Sequence, residues 1–128
     1  MTDPNMLSVY QYPKCSTCRN ALRWLDDHGA RYEKIDITEA PPNAQLLQQI
    51  LARSGLPVSK LFNTSGQSYR EGNFKERLAK MSAADALAAL ARDGKLIKRP
   101  LVVSSKVVLV GFDPERYASE LGGAKGVC

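Results

Sequence analysis

The sequence predicts an α/β fold in which a mixed four-stranded sheet carries helices on both faces. A strand, a helix and a second strand follow one another over residues 7–37, and two short apolar strands lie close together within residues 101–110. The first three elements form a β-α-β unit with parallel strands. The last two form an antiparallel hairpin. A Cys-x-x-Cys pair at the first strand-to-helix junction is the third observation, because it puts reactive thiols at one end of this sheet.

The size and composition indicate one ordinary globular domain. The chain has 128 residues, of which 44% are hydrophobic and 24% charged, and such chains bury one continuous core without added staples. We therefore expect a single domain over residues 1–128. The amino terminus lacks the basic and then apolar pattern of a signal peptide, and no apolar run is long enough to span a bilayer. A cytoplasmic protein with no membrane partner is expected.

The net charge of +5 suits anionic substrates or acidic partners. The basic residues are spread through every segment, without the run of Lys and Arg with interleaved aromatics that a nucleic-acid groove needs. Direct binding to nucleic acid is therefore not expected.

A change from strand to helix periodicity predicts the β-α-β unit. Leu7–Tyr12 alternates and is rich in β-favouring residues, and Pro13 ends it. From Thr17 onward, apolar residues recur at the spacing of one helical face, namely at Cys18, Ala21, Leu22 and Leu25. Gly29 is free to end this helix in a left-handed conformation. Arg31–Ile37 alternates in part and predicts the second strand.

A helical block is predicted over residues 40–95. Asn43 is a plausible N-cap, and Gly55 ends the helix that it starts. A polar stretch over residues 63–68 predicts a loop, and Ser82 opens an alanine-rich helix. The predicted helical segments are residues 43–55, 58–62, 74–81 and 82–94.

The carboxyl-terminal part predicts a hairpin and one last helix. Leu101–Val103 and Val107–Val110 flank a tight turn, and Asp113 is an N-cap followed by a proline at the first helical position. This helix runs to about Leu121, and the glycine-rich residues 122–128 form a flexible tail. The full element order is the thioredoxin-like arrangement, whose sites lie beyond the carboxyl ends of the strands.

Cys15 and Cys18 lie one helical turn apart where the first helix starts. Thiol–disulfide exchange needs a thiolate, and a helix amino terminus stabilises one through its unpaired N–H groups and dipole. Lys14 and Arg19 add positive potential. We expect Cys15 to be the nucleophile, with a pKa lowered into the range ~3.5–7.5 seen for such cysteines. Cys18 would then attack the mixed disulfide.

Two other interpretations of the cysteine pair stay open. Cysteines also pack as small hydrophobic residues, although Cys15 falls in a Pro-Lys-Cys-Ser loop rather than on an apolar stripe. A zinc site would need further ligands, and the other candidates, His28 and Cys128, lie at unrelated positions. We interpret His28 as a cation at a helix end. Cys128 is either an incidental thiol or a flexible resolving cysteine. No metal and no bound cofactor are expected.

Arg99 and Pro100 form the second candidate feature. An X-Pro bond directly before a buried strand is either a cis peptide, which costs only ~0.5–1 kcal/mol before proline, or an ordinary proline at a strand start. In thioredoxin-like folds a cis-proline faces the cysteine motif. Arg99 would then present a guanidinium suited to an oxyanion or thiolate.

The sequence resembles the ArsC/Spx family of thioredoxin-fold proteins over nearly the whole chain, up to about Leu121. This family includes glutaredoxin-dependent arsenate reductases and Spx-type transcriptional regulators. The resemblance is carried by five segments, which are Tyr12–Arg19, Pro41–Pro42, Phe62–Gly66, Leu96–Pro100 and Val110–Phe112.

For arsenate reductases, the resemblance implies that Cys15 attacks arsenate, three arginines hold the oxyanion, and glutathione with glutaredoxin completes the cycle. Arg99 matches one arginine, whereas Asn63 and the region of Gly111 stand where the other two would be. These reductases commonly lack a second motif cysteine, which this chain has at Cys18. The candidate substrate-binding and anion-binding residues are Lys14, Ser16, Thr17, Arg19, Asn63 and Pro100, beside the candidate catalytic residues Cys15, Cys18 and Arg99.

The function predicted from the sequence is a cytoplasmic thiol–disulfide oxidoreductase of this family. Glutathione with glutaredoxin, or thioredoxin, would supply the electrons. Arsenate is one candidate substrate. The alternative is an Spx-like regulator, for which the resemblance implies an oxidation switch at Cys-x-x-Cys and binding to the carboxyl-terminal domain of the RNA polymerase α subunit.

Overall fold

The structure, a computed structural model, describes residues 6–64, 66–105 and 107–121. Its strands are β1 (Leu7–Gln11), β2 (Tyr32–Asp36), β3 (Leu101–Val103) and β4 (Val108–Val110). Its helices are α1 (Ser16–Asp27), α2 (Ala44–Ser54), α3 (Gln67–Glu71), α4 (Phe74–Arg77), α5 (Ala83–Arg92) and α6 (Pro114–Glu120). Short 3-10 turns cover Val58–Leu61, Leu78–Lys80 and Gly94–Leu96.

The four strands form one mixed sheet in the order β2-β1-β3-β4. β1 runs parallel to β2, as a β-α-β crossover requires. β3 pairs antiparallel with both β1 and β4. The predicted fold class, a mixed four-stranded sheet with helices in a thioredoxin-like arrangement, is confirmed.

The chain divides into two compact units. One comprises the chain up to Asp36 and from Arg99 onward, and the other is Ile37–Lys98. The first unit contains the whole sheet with α1 and α6. The second contains the predicted helical block of residues 40–95. The expectation that residues 1–128 form one domain stays a prediction.

The core of the first unit lies on one face of the sheet. Val9, Val102 and Leu109 are cross-strand neighbours, so their side chains point to the same face. Ala21 and Leu25 of α1 and Tyr117 of α6 complete this buried cluster, together with Leu7. Both helices therefore pack against the same sheet face, which fixes the start of α1 beside the end of β1.

The second unit confirms the predicted helix boundaries around α2. The Asn43 side chain accepts a hydrogen bond from the Leu46 N–H at 2.8 Å, as an N-cap does. Gly55 ends the helix in a left-handed conformation with φ 71°. α2 packs against α5, and Ser82 caps α5 through the Asp85 N–H at 3.1 Å.

Helix α3 corrects the prediction of a loop through Ser68. The polar composition favours a loop, but Tyr69 on α3 lies 6.3 Å from the ring of Phe62 and 6.2 Å from that of Phe74. The contacts of the half-buried Tyr69 ring with these two buried rings outweigh the local preference. β1 ends at Gln11, one residue before the predicted end. The predicted tail of residues 122–128 lies outside the described residues.

Within the described part of the chain, no helix has the length and apolar character needed to cross a membrane.

Candidate active site

Cys15 is the N-cap residue of α1. The chain leaves β1 and turns, so that the Cys15 N–H donates to the Tyr12 carbonyl at 3.0 Å. Cys15 then adopts an extended backbone with φ −91° and ψ 119°, which is typical of an N-cap. Its sulfur takes the acceptor role that a serine or aspartate oxygen usually has. The predicted position of Cys15 at a helix amino terminus is confirmed.

The Cys15 thiol is half-buried and surrounded by donors. Its sulfur accepts a hydrogen bond from the Cys18 N–H at 3.4 Å. Burial raises the pKa of Cys15, but hydrogen bonds from the backbone and thiol of Cys18, the Arg99 charge and the Thr17 N–H together lower it below the ordinary value. No acidic side chain lies in the first turn of α1. The arrangement therefore favours a thiolate at Cys15.

The Cys18 thiol has the opposite environment. Its side chain is fully buried in the first turn of α1, and its sulfur accepts a hydrogen bond from the Tyr12 N–H at 3.5 Å. The pKa of Cys18 is raised to about 12, mainly by burial and also by the neighbouring Cys15, against the lowering effects of the Tyr12 N–H and the Arg99 charge. Cys18 thus keeps its proton to a higher pH than Cys15 does. Both cysteines are free thiols.

Arg99 brings a positive charge to this pair. The bond between Arg99 and Pro100 is cis, one of the two states that the sequence leaves open. Arg99 is half-buried, and its charge lowers the pKa of both thiols. Its guanidinium carbon lies 5.0 Å from the centre of the Tyr12 ring. The structure therefore brings together the three predicted catalytic residues, Cys15, Cys18 and Arg99.

The other candidate residues of the motif lie around the start of α1. Ser16 and Thr17 form its first turn with exposed side chains, and Lys14 precedes it on the surface. The Arg19 guanidinium donates to the Pro13 carbonyl at 3.2 Å, which steadies the turn. A substrate-binding role for these four side chains stays a prediction.

Asn63 and Pro100 are held by backbone hydrogen bonds. Asn63 belongs to the second unit, where its N–H donates to the Leu96 carbonyl at 2.7 Å. Pro100 is buried in the first unit, and its carbonyl accepts from the Gly111 N–H at 2.9 Å. The anion-binding role predicted for each stays a prediction.

Three residues make contacts around this site that sequence reasoning did not predict, namely Tyr12, Gly111 and Tyr117. Tyr12 contacts Arg99 with its ring and Cys18 with its N–H. Tyr117 is buried, and its hydroxyl donates to the Gly111 carbonyl at 2.9 Å. Gly111 has φ 80°, a conformation that favours glycine. Tyr12 and Gly111 both lie in segments that carry the family resemblance, whereas no sequence signal marked Tyr117.

The described residues include no group of histidine, cysteine and acidic side chains suited to a metal ion. His28 is the C-cap of α1, where its Nδ1 lies 2.7 Å from the Trp24 carbonyl and its ring stacks on Trp24 at 3.7 Å. This position confirms its prediction as a helix-end residue. Cys128, predicted as incidental or resolving, lies outside the described residues.

Known proteins resemble this chain over most of its length. A sequence model of the ArsC family matches residues 10–119. An uncharacterized protein of Bacillus subtilis, YusI, is 48% identical over 111 residues, which cover 87% of this chain and 94% of YusI.

One structural relative and one regulator extend the comparison. The crystal structure of a possible arsenate reductase from Streptococcus mutans is 49% identical, with a TM-score of 0.79 over 84% of this chain and 92% of that one. The global transcriptional regulator Spx of Enterococcus faecalis is 26% identical over 110 residues, which cover 86% of this chain and 82% of Spx. The fold and the family resemblance agree, while the names of the relatives divide between an enzyme and a regulator.

Proposed function

The chain belongs to the ArsC family, and we propose that it is a thiol–disulfide oxidoreductase in which Cys15 and Cys18 reduce the substrate and become a disulfide. One observation carries this proposal. The environment lowers the pKa of the half-buried Cys15 and raises that of the buried Cys18 to about 12. Two thiols with such different environments suit two successive roles.

The proposed cycle has two exchange steps. The Cys15 thiolate attacks one sulfur of a substrate disulfide, a Cys15–substrate disulfide forms, and the other substrate sulfur leaves as a thiolate that takes up a proton. Cys18 then loses its proton and attacks the Cys15 sulfur. The bond between Cys15 and the substrate breaks, and the substrate leaves reduced by two electrons. A Cys15–Cys18 disulfide remains.

Arg99 stabilises the attacking thiolate in both steps. In the first step, the Cys18 N–H and the Arg99 guanidinium act on the Cys15 thiolate. In the second step, the Arg99 charge lowers the pKa of Cys18 and so favours the Cys18 thiolate that attacks the Cys15 sulfur. An external dithiol donor of the thioredoxin or glutathione–glutaredoxin class would return two electrons to the disulfide. In this proposal, the cycle takes place in a reducing cytoplasm.

Arsenate is a narrower candidate for the same site. Its attack by Cys15 would expel water, and attack by Cys18 on the Cys15 sulfur would pass two electrons to arsenic and release arsenite. The similarity to a possible arsenate reductase from Streptococcus mutans supports this substrate. Among the positions predicted from the family resemblance, however, only Arg99 provides an arginine, because Asn63 and Gly111 stand at the others.

The test is a coupled assay of the wild type, Cys15→Ser and Cys18→Ser. Each protein is supplied with a small disulfide or with arsenate, and with thioredoxin or glutathione–glutaredoxin. Serine is a preferred N-cap residue, so Cys15→Ser removes the nucleophile while retaining the start of α1. We expect its activity to fall to background on every substrate.

We expect Cys18→Ser to stop after the first step when thioredoxin is the donor. One equivalent of substrate thiol would be released, and mass spectrometry would detect a stable adduct on Cys15. Full activity of Cys15→Ser would contradict the proposal. Wild-type turnover by Cys18→Ser would contradict the dithiol cycle.

A redox-switched regulator is the second candidate function, favoured by the similarity to Spx of Enterococcus faecalis. In this case the Cys15–Cys18 pair would set affinity for the carboxyl-terminal domain of the RNA polymerase α subunit. A pull-down with that domain, using oxidised and reduced protein, distinguishes the two functions. An enzyme without this role is expected to bind in neither state, whereas a regulator binds in one state more strongly than in the other.

A further inference from the structure

The ring of Tyr12 lies against the charged group that acts on the active-site thiols. The Arg99 guanidinium carbon is 5.0 Å from the centre of the Tyr12 ring, within the ~6 Å range over which an aromatic face attracts a cation. Both side chains are half-buried, so solvent screens this attraction less than it would on an open surface. Tyr12 therefore restricts where the guanidinium of Arg99 lies.

The position of that guanidinium matters for the chemistry. The Arg99 charge is one of the effects that lower the pKa of Cys15, and it also opposes the increase in the pKa of Cys18. Attraction between unit charges changes with their separation. A side chain as long as arginine has many rotamers, so a contact that selects one of them also sets the strength of this effect.

We propose that Tyr12 is a positioning residue that holds Arg99 where its charge stabilises the Cys15 thiolate. This inference rests on the proposed function, because it concerns the reactivity of the same nucleophile. It assigns to the aromatic ring, rather than to the tyrosine hydroxyl, a part in activating Cys15.

The two parts of Tyr12 have separable roles. Its backbone N–H donates to the Cys18 sulfur at 3.5 Å, and its carbonyl accepts from the Cys15 N–H at 3.0 Å. Substitution of the side chain leaves both of these groups in place. A change in reactivity after substitution therefore reports on the ring and its contact with Arg99.

The test measures the rate at which iodoacetamide alkylates Cys15 as a function of pH, with mass spectrometry assigning the modified cysteine. The variants are Tyr12→Phe, which keeps the ring, and Tyr12→Leu and Tyr12→Gln, which remove it. We expect Tyr12→Phe to follow the wild-type profile. We expect the ring-less variants to react about two- to fivefold more slowly below the wild-type pKa of Cys15, as the loss of a cation–π contact of ~0.5–1 kcal/mol implies. Well above the pKa of Cys15, where this thiol is fully ionised, the wild type and the three variants should be alkylated at similar rates.

A double-mutant cycle with Arg99→Gln tests whether the effect passes through Arg99. In the Arg99→Gln background, we expect Tyr12→Leu and Tyr12→Gln to cause no further loss of reactivity. A loss of equal size in both backgrounds would overturn the proposal. Ring-less variants that match the wild type at every pH would overturn it as well.

The wild-type profile separates this inference from the proposed function. If Cys15 in the wild type titrates only near pH 8.5, the ordinary value for a thiol, the proposed activation of Cys15 fails. If Cys15 of the wild type titrates at a lower pH and Cys15 of the ring-less variants titrates at the same pH as in the wild type, only the role of Tyr12 fails. Circular dichroism of each variant verifies that folded proteins are being compared.

Discussion

Cys15 and Cys18 show how strongly the surroundings of two identical side chains can differ within one helical turn. Cys15 is half-buried and its sulfur accepts a hydrogen bond at a helix start, whereas Cys18 is fully buried. A helix of 3.6 residues per turn puts the third residue after the N-cap on the inner face. The spacing of the motif therefore gives one half-buried and one fully buried thiol, as the proposed roles of nucleophile and resolving cysteine require.

Burial of the Cys18 thiol predicts a pH dependence of stability. The unfolded thiol loses its proton near pH 8.5, whereas the folded one keeps it to about pH 12. The contribution of the buried Cys18 thiol to the free energy of unfolding is therefore complete below pH 8.5 and is lost as the pH rises towards 12. We expect the free energy of unfolding to fall by up to about 2 kcal/mol between pH 8.5 and 10, measured by urea denaturation under reducing conditions.

Cys18→Ala is the control for this effect. The variant lacks the titrating group, so its free energy of unfolding should change less over the same pH range, whatever its absolute stability. The window ends at pH 10, where tyrosines of the unfolded chain are about half ionised, and this contribution is common to the wild type and Cys18→Ala. Identical pH slopes for the wild type and Cys18→Ala would refute the assignment to Cys18.

At the scale of elements, hydrogen bonds join the segments around Pro100. The Pro100 carbonyl accepts from the Gly111 N–H, and the Gly111 carbonyl accepts from the Tyr117 hydroxyl, each at 2.9 Å. These bonds connect the start of β3, the end of β4 and helix α6. The backbone that carries Arg99 is thereby tied to the buried side of the sheet.

In the second unit, Gly94 lies where two segments of the backbone approach each other closely. A Cβ atom at this position would collide with the carbonyl oxygen of Ile37 and lie 2.8 Å from its carbonyl carbon. Both are backbone atoms, which cannot rotate aside. We expect Gly94→Ala to lower the free energy of unfolding by at least ~3 kcal/mol, the upper part of the range for overpacked sites, as measured by denaturant titration.

Gly55→Ala is the matched comparison within the same unit. Gly55 has φ 71° and open space where a Cβ would lie, so alanine there meets only the cost of a left-handed backbone, ~1–2 kcal/mol. The larger loss is expected for Gly94→Ala. A loss no greater than that of Gly55→Ala would mean that the Ile37 segment moves aside easily.

For the whole molecule, the element order could be predicted because local signals agree with the fold. Pro13 lies in the turn between β1 and α1, and three other predicted residues cap described helices, namely Asn43, Gly55 and Asp113. These caps depend on neighbouring residues alone. The parallel pairing of β1 with β2 follows from the helix between them. The position of Cys15 at a helix start follows for the same reason.

The contacts across the sheet could not be predicted in the same way. Tyr12 and Arg99 are distant in sequence, and only the pairing of β1 with β3 brings their strands together. The hydrogen bond between Tyr117 and Gly111 could not be predicted either, because it depends on the packing of α6. Helix α3 was missed because the contacts of Tyr69 with two other rings stabilise it, and such tertiary contacts override local propensity.

Trp24 is the single tryptophan of the chain, and its place on α1 has a practical consequence. The indole stacks on His28 at 3.7 Å and meets the edge of Tyr117 at 5.5 Å. Ultraviolet emission excited at the red edge of the absorption band therefore originates at one location, on the helix that begins at Cys15. The protein carries an intrinsic optical probe of that helix, so its unfolding can be followed without a label.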